Sequence, residues 1–179
     1  MATTYVALLR GINVGKAKRV AMADLRAVIE SLGYTDARTL LNSGNALFAS
    51  KKPLPGRAAE ELRAALAKKT GVSSRFTLRS AAELDAVVQK NPLLEVATDH
   101  TRLFAAFVID PDDMARVQPL AKQQWKPEAL AVGPGVVYIW CPNGLLESKA
   151  QEAVGKLLGD GVTVRNWATV MKLAMNCKL

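Results

Sequence analysis

Cysteine and histidine are nearly missing from this chain: its 179 residues include two cysteines, Cys141 and Cys177, and one histidine, His100. That scarcity removes whole classes of chemistry. A structural zinc site needs four N or S ligands at close spacing, and three scattered candidates do not supply them. Two cysteines so far apart make no disulfide framework either, and both read as buried free thiols. Nucleophilic catalysis by Ser43 would need a base, and His100 stands in a connecting stretch. No metal and no cofactor is expected.

Long apolar runs are also lacking. The start, MATTYVALLRG, has no charged leader, and its apolar stretch is broken at Arg10, so it reads as neither a signal peptide nor a span. A soluble cytoplasmic protein with no membrane partner is expected. Aromatics make up 6% of the residues against 50% for all hydrophobic types, which fits a core of Ala, Leu and Val. A chain of this length buries enough surface to fold without staples.

Acidic residues are scarce in one half only. Residues 1–79 hold 14 Lys+Arg against 5 Asp+Glu, net +9, whereas residues 80–179 hold 10 against 11, net −1. The overall charge of +8 is therefore carried by the N-terminal half. A basic face for an anionic partner is one reading and solvated surface cations are the other.

What is present is an alternation of period-2 and period-3.6 segments in a repeating order. Strand 5–9, helix 22–32 ending at Gly33, strands 38–41 and 46–49, helix 57–69 and strand 74–78 give β-α-β-β-α-β. Ser80 and Glu83 form a capping-box pattern for a connecting helix that runs to Lys90, before Asn91-Pro92. The series then repeats: strand 102–109, helix 112–121, strands 129–132 and 136–141, helix 148–158 and strand 162–165. A last helix, 167–176, follows Asn166 as its cap. The expected fold is α+β: two ferredoxin-like units in tandem, 1–79 and 101–179, joined by a connector over 80–100. The repeat lies in the pattern of elements, not in the residues.

The segment with most chemical character is YVALLRGINVGKAKR, residues 5–19. A strand end followed by glycines can aim N–H groups outward, and Arg10, Lys16, Lys18 and Arg19 surround them with charge. It is not a Walker loop: three residues separate Gly11 from Gly15-Lys16 where that pattern has four, and Ala17 stands where Ser or Thr is needed. A looser anion nest built on Arg10, Gly11, Asn13, Gly15, Lys16 and Lys18 is one reading; a loop whose glycines only turn the chain is the other.

Strands one and three are central and antiparallel in the inferred topology, so the end of the first should meet the start of the third. Arg10 and the Asn13 loop would then adjoin Ser43, Gly44 and Asn45, making a polar, partly cationic edge suited to a small ligand or a phosphate. These turn residues equally suit a plain hairpin turn. An RNA-recognition sheet stacks bases on aromatics of its central strands; only Tyr5 and Phe48 are available, and no RNP1 pattern appears.

The segments LLRGINVGKAKRVAMADLRAVIESLGY, TLLNSGNALF and RNWATVMKL together resemble the bacterial domain-of-unknown-function family 1697. The matching positions are Arg10, Gly11, Asn13, Gly15, Ser43, Gly44, Asn45, Arg165, Asn166 and Thr169, with Lys16 departing from a further glycine in the family's loop. The resemblance implies a bacterial protein of this length without an established activity. Arg165, Asn166 and Thr169 either support the same site or anchor the last helix. The functional expectation is an anionic partner, a phosphate-bearing small molecule or nucleic acid, bound at Arg10–Arg19 and Ser43–Asn45. A small-molecule enzyme using that cleft and a protein-interaction module are the alternatives.

Overall fold

The structure is a computed structural model and describes residues 1–178. The chain divides into two units: Met1–Leu84 with the residues from Met175 onward, and Asp85–Ala174. Unit 1 runs β1 (Thr3–Leu9), α1 (Met22–Ser31), β2 (Thr35–Leu40), β3 (Asn45–Ser50), α2 (Ala58–Thr70), β4 (Phe76–Ser80). Its sheet has the order β2-β3-β1-β4, antiparallel throughout. The first and third strands are central, as the element order implies.

Alternation along the strands decides which side chains meet the helices. Ala7 and Leu9 of β1, Ala46 and Phe48 of β3 and Phe76 of β4 share a core with Leu25 and Ile29 of α1 and Leu62 and Leu66 of α2. Tyr5 and Tyr34 pack against that same core, Tyr5 stacking on Phe48 at 5.8 Å and Tyr34 tilted against Phe48 at 4.8 Å. The two aromatics of the central strands are therefore spent on the helix-covered face. α2 stops at Gly71, whose φ of 74° lets its N–H turn back to the Ala67 carbonyl.

The second series comprises α3 (Ala81–Gln89), β5 (Leu103–Val108), α4 (Met114–Val117), β6 (Ala129–Gly133), β7 (Val136–Trp140), α5 (Lys149–Leu158), β8 (Val162–Asn166) and α6 (Trp167–Cys177). The sheet order is β6-β7-β5-β8, again antiparallel. Val137 and Ile139 face α5, with Val154 and Leu158 opposite them. Tyr138 points to the other face, where its hydroxyl donates to the Val87 carbonyl of α3 at 2.7 Å and Trp167 meets its ring edge-on at 6.1 Å.

Three sequence expectations need correction. The helix over 112–121 is broken: only Met114–Val117 is α-helical, between 3-10 turns at Pro111–Asp113 and Gln118–Lys122. Pro119 lacks an N–H, and its ring opposes a continuing α-helix. β2 begins at Thr35, earlier than expected, because a register shift between Thr35 and Arg38, with Asp36 at φ 54°, hides the alternation. Asn45 is the first residue of β3, opposite Leu40, not part of the turn.

The repeat also reaches individual residues. Leu9 N–H donates to Gly44 O at 2.8 Å and Val108 N–H to Gly135 O at 3.0 Å; Arg10 N–H donates to Arg75 O at 3.0 Å and Ile109 N–H to Gly161 O at 2.8 Å. Each unit's last strand carries Thr-x-Arg followed by a capping residue, Thr77-Leu78-Arg79-Ser80 and Thr163-Val164-Arg165-Asn166. In both, the arginine Nη1 donates to the threonine hydroxyl, at 3.1 and 2.9 Å, and to the intervening carbonyl, at 2.8 and 2.9 Å.

Candidate functional site

At one end of unit 1 the last residues of β1 meet the first of β3 and β4. The Leu9–Gly44 and Arg10–Arg75 backbone bonds fix that meeting, and Ser74 Oγ donates to the Arg10 carbonyl at 2.9 Å. The loop leaving β1 and the turn entering β3 are neighbours, as the topology requires.

The loop owes its shape to Asn13. Its Nδ2 donates to Val20 O at 2.9 Å and to Asn42 O at 2.7 Å, while its Oδ1 accepts from Val20 N–H at 2.9 Å. One amide thus closes the loop and ties it to the turn. A backbone bond from Asn13 N–H to Lys18 O at 3.1 Å closes it again. Gly11, Asn13, Gly15 and Lys18 all take positive φ, between 50° and 61°, so the chain enters the left-handed region four times within eight residues. Asn13→Gly keeps that conformation and removes only the side-chain bonds. It is expected to cost about 2 kcal/mol, read as a lower urea midpoint at unchanged m-value.

The turn is held from beneath. Asn45 is fully buried, and its Nδ2 donates to Leu40 O at 3.0 Å and to Ser43 Oγ at 2.9 Å. Gly44, φ 80°, is also buried, with Leu9 Cβ 2.8 Å and Ile12 Cγ1 2.9 Å from where a Cβ would stand. Leu41 sits at φ 61°, an angle that a leucine adopts only at a cost.

Of the nine sequence candidates in this region, then, Asn13, Gly44 and Asn45 brace the edge, while Gly11, Gly15, Lys16, Lys18 and Ser43 are exposed and Arg10 is half-buried. The braces show why Asn and Gly stand there; the exposed residues are what a partner would meet. Residues 14–19 and 41–43 are exposed without interruption. Among the described residues, no hydrogen bond uses the backbone N–H of residues 14–19, and no carboxylate pairs with Lys16, Lys18 or Arg19. Three acids of unit 1 are engaged elsewhere: Glu61 with Arg57, Glu60 with Arg63 and Asp24 with Lys69. Charge is thus left at the loop. Sequence reasoning did not assign Asn42, Ser74 or Arg75 to this edge; Asn42 and Arg75 join it through their carbonyls and Ser74 through its hydroxyl.

Arg165, Asn166 and Thr169 lie in unit 2. Asn166 Oδ1 accepts from Thr169 N–H at 2.9 Å, the expected cap of α6, and Ser80 does the same for α3 by accepting from Glu83 N–H at 3.2 Å. Burial pushes the Arg165 guanidinium down to about 10, and it lowers Arg79 as well, with Glu83 partly offsetting. Both remain charged at neutral pH. The Thr-x-Arg spacing was open to sequence inspection at both places.

Cys141 is buried, and that burial pushes its thiol up to about 11. Glu128 fills the N-terminus of α5, accepting from Lys149 N–H at 2.9 Å and Ala150 N–H at 3.1 Å. No group of three or more His, Cys, Asp or Glu that could hold a metal occurs among the described residues. No helix among them is long and apolar enough to cross a membrane.

The chain resembles a solved structure described as the conserved bacterial protein SP0830 from Streptococcus pneumoniae, with 25% sequence identity, a TM-score of 0.81 and coverage of 99% of both chains. No curated protein matches it. A family model described as "Protein of unknown function (DUF1697)" matches residues 2–138, which take in the loop, the turn and the elements β1 to β4 of unit 1. The chain belongs to the DUF1697 family.

Proposed function

We propose that this protein binds a phosphate-bearing anion at the edge formed by the Arg10–Arg19 loop and the Ser43–Asn45 turn. One observation carries the reading: Lys16, Lys18 and Arg19 stand without carboxylates among the described residues, around backbone N–H groups that no protein acceptor takes. Left-handed residues recurring along a loop can turn N–H groups to one side, an arrangement from which anion nests are made. The glycines allow that path and Asn13 locks it, so the donors are placed before a ligand arrives. The strand order supports reading both units as ferredoxin-like, with the site on the first.

Inorganic pyrophosphate is the probe of choice, since it carries the charge and nothing else. In calorimetry at low salt, Lys16→Ala/Lys18→Ala is expected to weaken its binding at least tenfold, about 1.4 kcal/mol. Unchanged affinity in that variant, with the fold intact by circular dichroism, would sink the proposal.

A further inference from the structure

We infer that the partner at this edge is duplex nucleic acid, a reading that rests on the phosphate-binding one and narrows it. Residues 14–19 and 41–43 are exposed in an unbroken run, so the edge presents itself outward. A small ligand is usually enclosed over most of its surface. An outward cationic edge suits a partner that is itself extended.

The aromatics separate single strands from duplexes. Proteins that bind single strands without sequence preference stack the bases on exposed rings. Here all ten aromatic residues are buried or half-buried, and Tyr5 and Phe48 stack on each other against the helix-covered core. No stacking platform is offered. A duplex keeps its bases stacked inside and carries its phosphates along the outside, where they ask for cations and N–H donors, which the loop supplies.

Two apolar side chains complete the argument. Val14 is 72% exposed and Leu41 52%, and each is next in the chain to a partner of the Asn13–Asn42 bond that joins loop and turn. Leu41 holds φ 61°, where asparagine or glycine would be at ease, so it contributes neither backbone comfort nor core packing. With Lys16, Lys18 and Arg19 on the same loop as Val14, such side chains suit a duplex groove, where DNA-binding proteins set apolar residues against the base steps beside lysines and arginines.

The test is fluorescence anisotropy with a labelled duplex of about 20 base pairs, its single strand, and phosphatidylglycerol vesicles, beside calorimetry with pyrophosphate. The duplex should bind at least tenfold tighter than the strand. Its log K against log salt should fall with a slope of about −3, as three phosphate contacts give, flattening to about −1 in Lys16→Ala/Lys18→Ala. Leu41→Asn should weaken the duplex about fivefold, leave pyrophosphate unchanged and raise Tm by about 2 to 4 °C as backbone strain is relieved. Equal affinity for the single strand, an unaltered salt slope in the lysine variant, or vesicle binding without duplex binding overturns the inference. An unchanged duplex affinity in Leu41→Asn overturns the groove contact. If pyrophosphate binds through Lys16 and Lys18 and the duplex does not, this inference falls and the phosphate reading stands; if neither binds, both fall.

Discussion

Gly44→Ala is expected to lower stability by about 3 to 5 kcal/mol. Two independent costs meet at this residue. Its φ of 80° is strained for any residue with a Cβ, and an added Cβ would lie 2.8 Å from Leu9 Cβ and 2.9 Å from Ile12 Cγ1. Neither neighbour can retreat, because Leu9 and Ile12 are buried in the unit 1 core. The strain must then pass into the Leu9 N–H to Gly44 O bond and into the base of the loop, where Asn13 holds Asn42. Gly11→Ala is the control. Gly11 has φ 61° but nothing within 4 Å of an added Cβ, so its loss of about 1 to 2 kcal/mol isolates the backbone term. Urea unfolding of both variants gives the packing term by difference; equal losses would remove the close-packing account of the turn.

How much of this was legible beforehand varies by element. The two series of strands and helices follow from periodicity, because each strand has a helix-covered face and each helix an apolar stripe. The meeting of the Arg10 loop with the Ser43 turn followed from strand order alone, since a central antiparallel pair has no other way to place those ends. What stayed hidden depends on atoms, not on pattern. Asn13 and Asn45 looked like ligand donors, and their amides turn out to hold Val20, Asn42, Leu40 and Ser43. An asparagine in a turn is attractive for either purpose, and only the partner distances separate them. The broken helix at Pro119 was visible in principle, but the apolar spacing around it argued the other way. The correspondence of Thr77 and Arg79 with Thr163 and Arg165 escaped notice because four-residue segments carry little weight until a shared fold aligns them.

Gly133→Ala should be comparably damaging, for a reason that lies wholly in packing. A Cβ there would stand 2.4 Å from Tyr138 Cε2 and 2.7 Å from its hydroxyl oxygen, and the glycine's φ is not in the left-handed region. The tyrosine ring passes directly over the glycine, across the β6–β7 pair in which Ala131 opposes Tyr138. Relief requires the ring to move, and it is held at both ends: its hydroxyl donates to Val87 O at 2.7 Å and its edge meets Trp167. Displacement would leave a buried hydroxyl without its acceptor, adding to the overpacking cost, for about 3 to 5 kcal/mol in all. Burial already pushes the Tyr138 phenol up to about 12, so below that pH the group stays neutral and the loss is independent of pH from 5 to 9. A double-mutant cycle with Tyr138→Leu locates the cost. If the clash is with the ring, Gly133→Ala should lose at least half its effect once the ring is gone. Additive losses would place the damage in the strand backbone instead, and the account of Gly133 as the seat of Tyr138 would have to be abandoned.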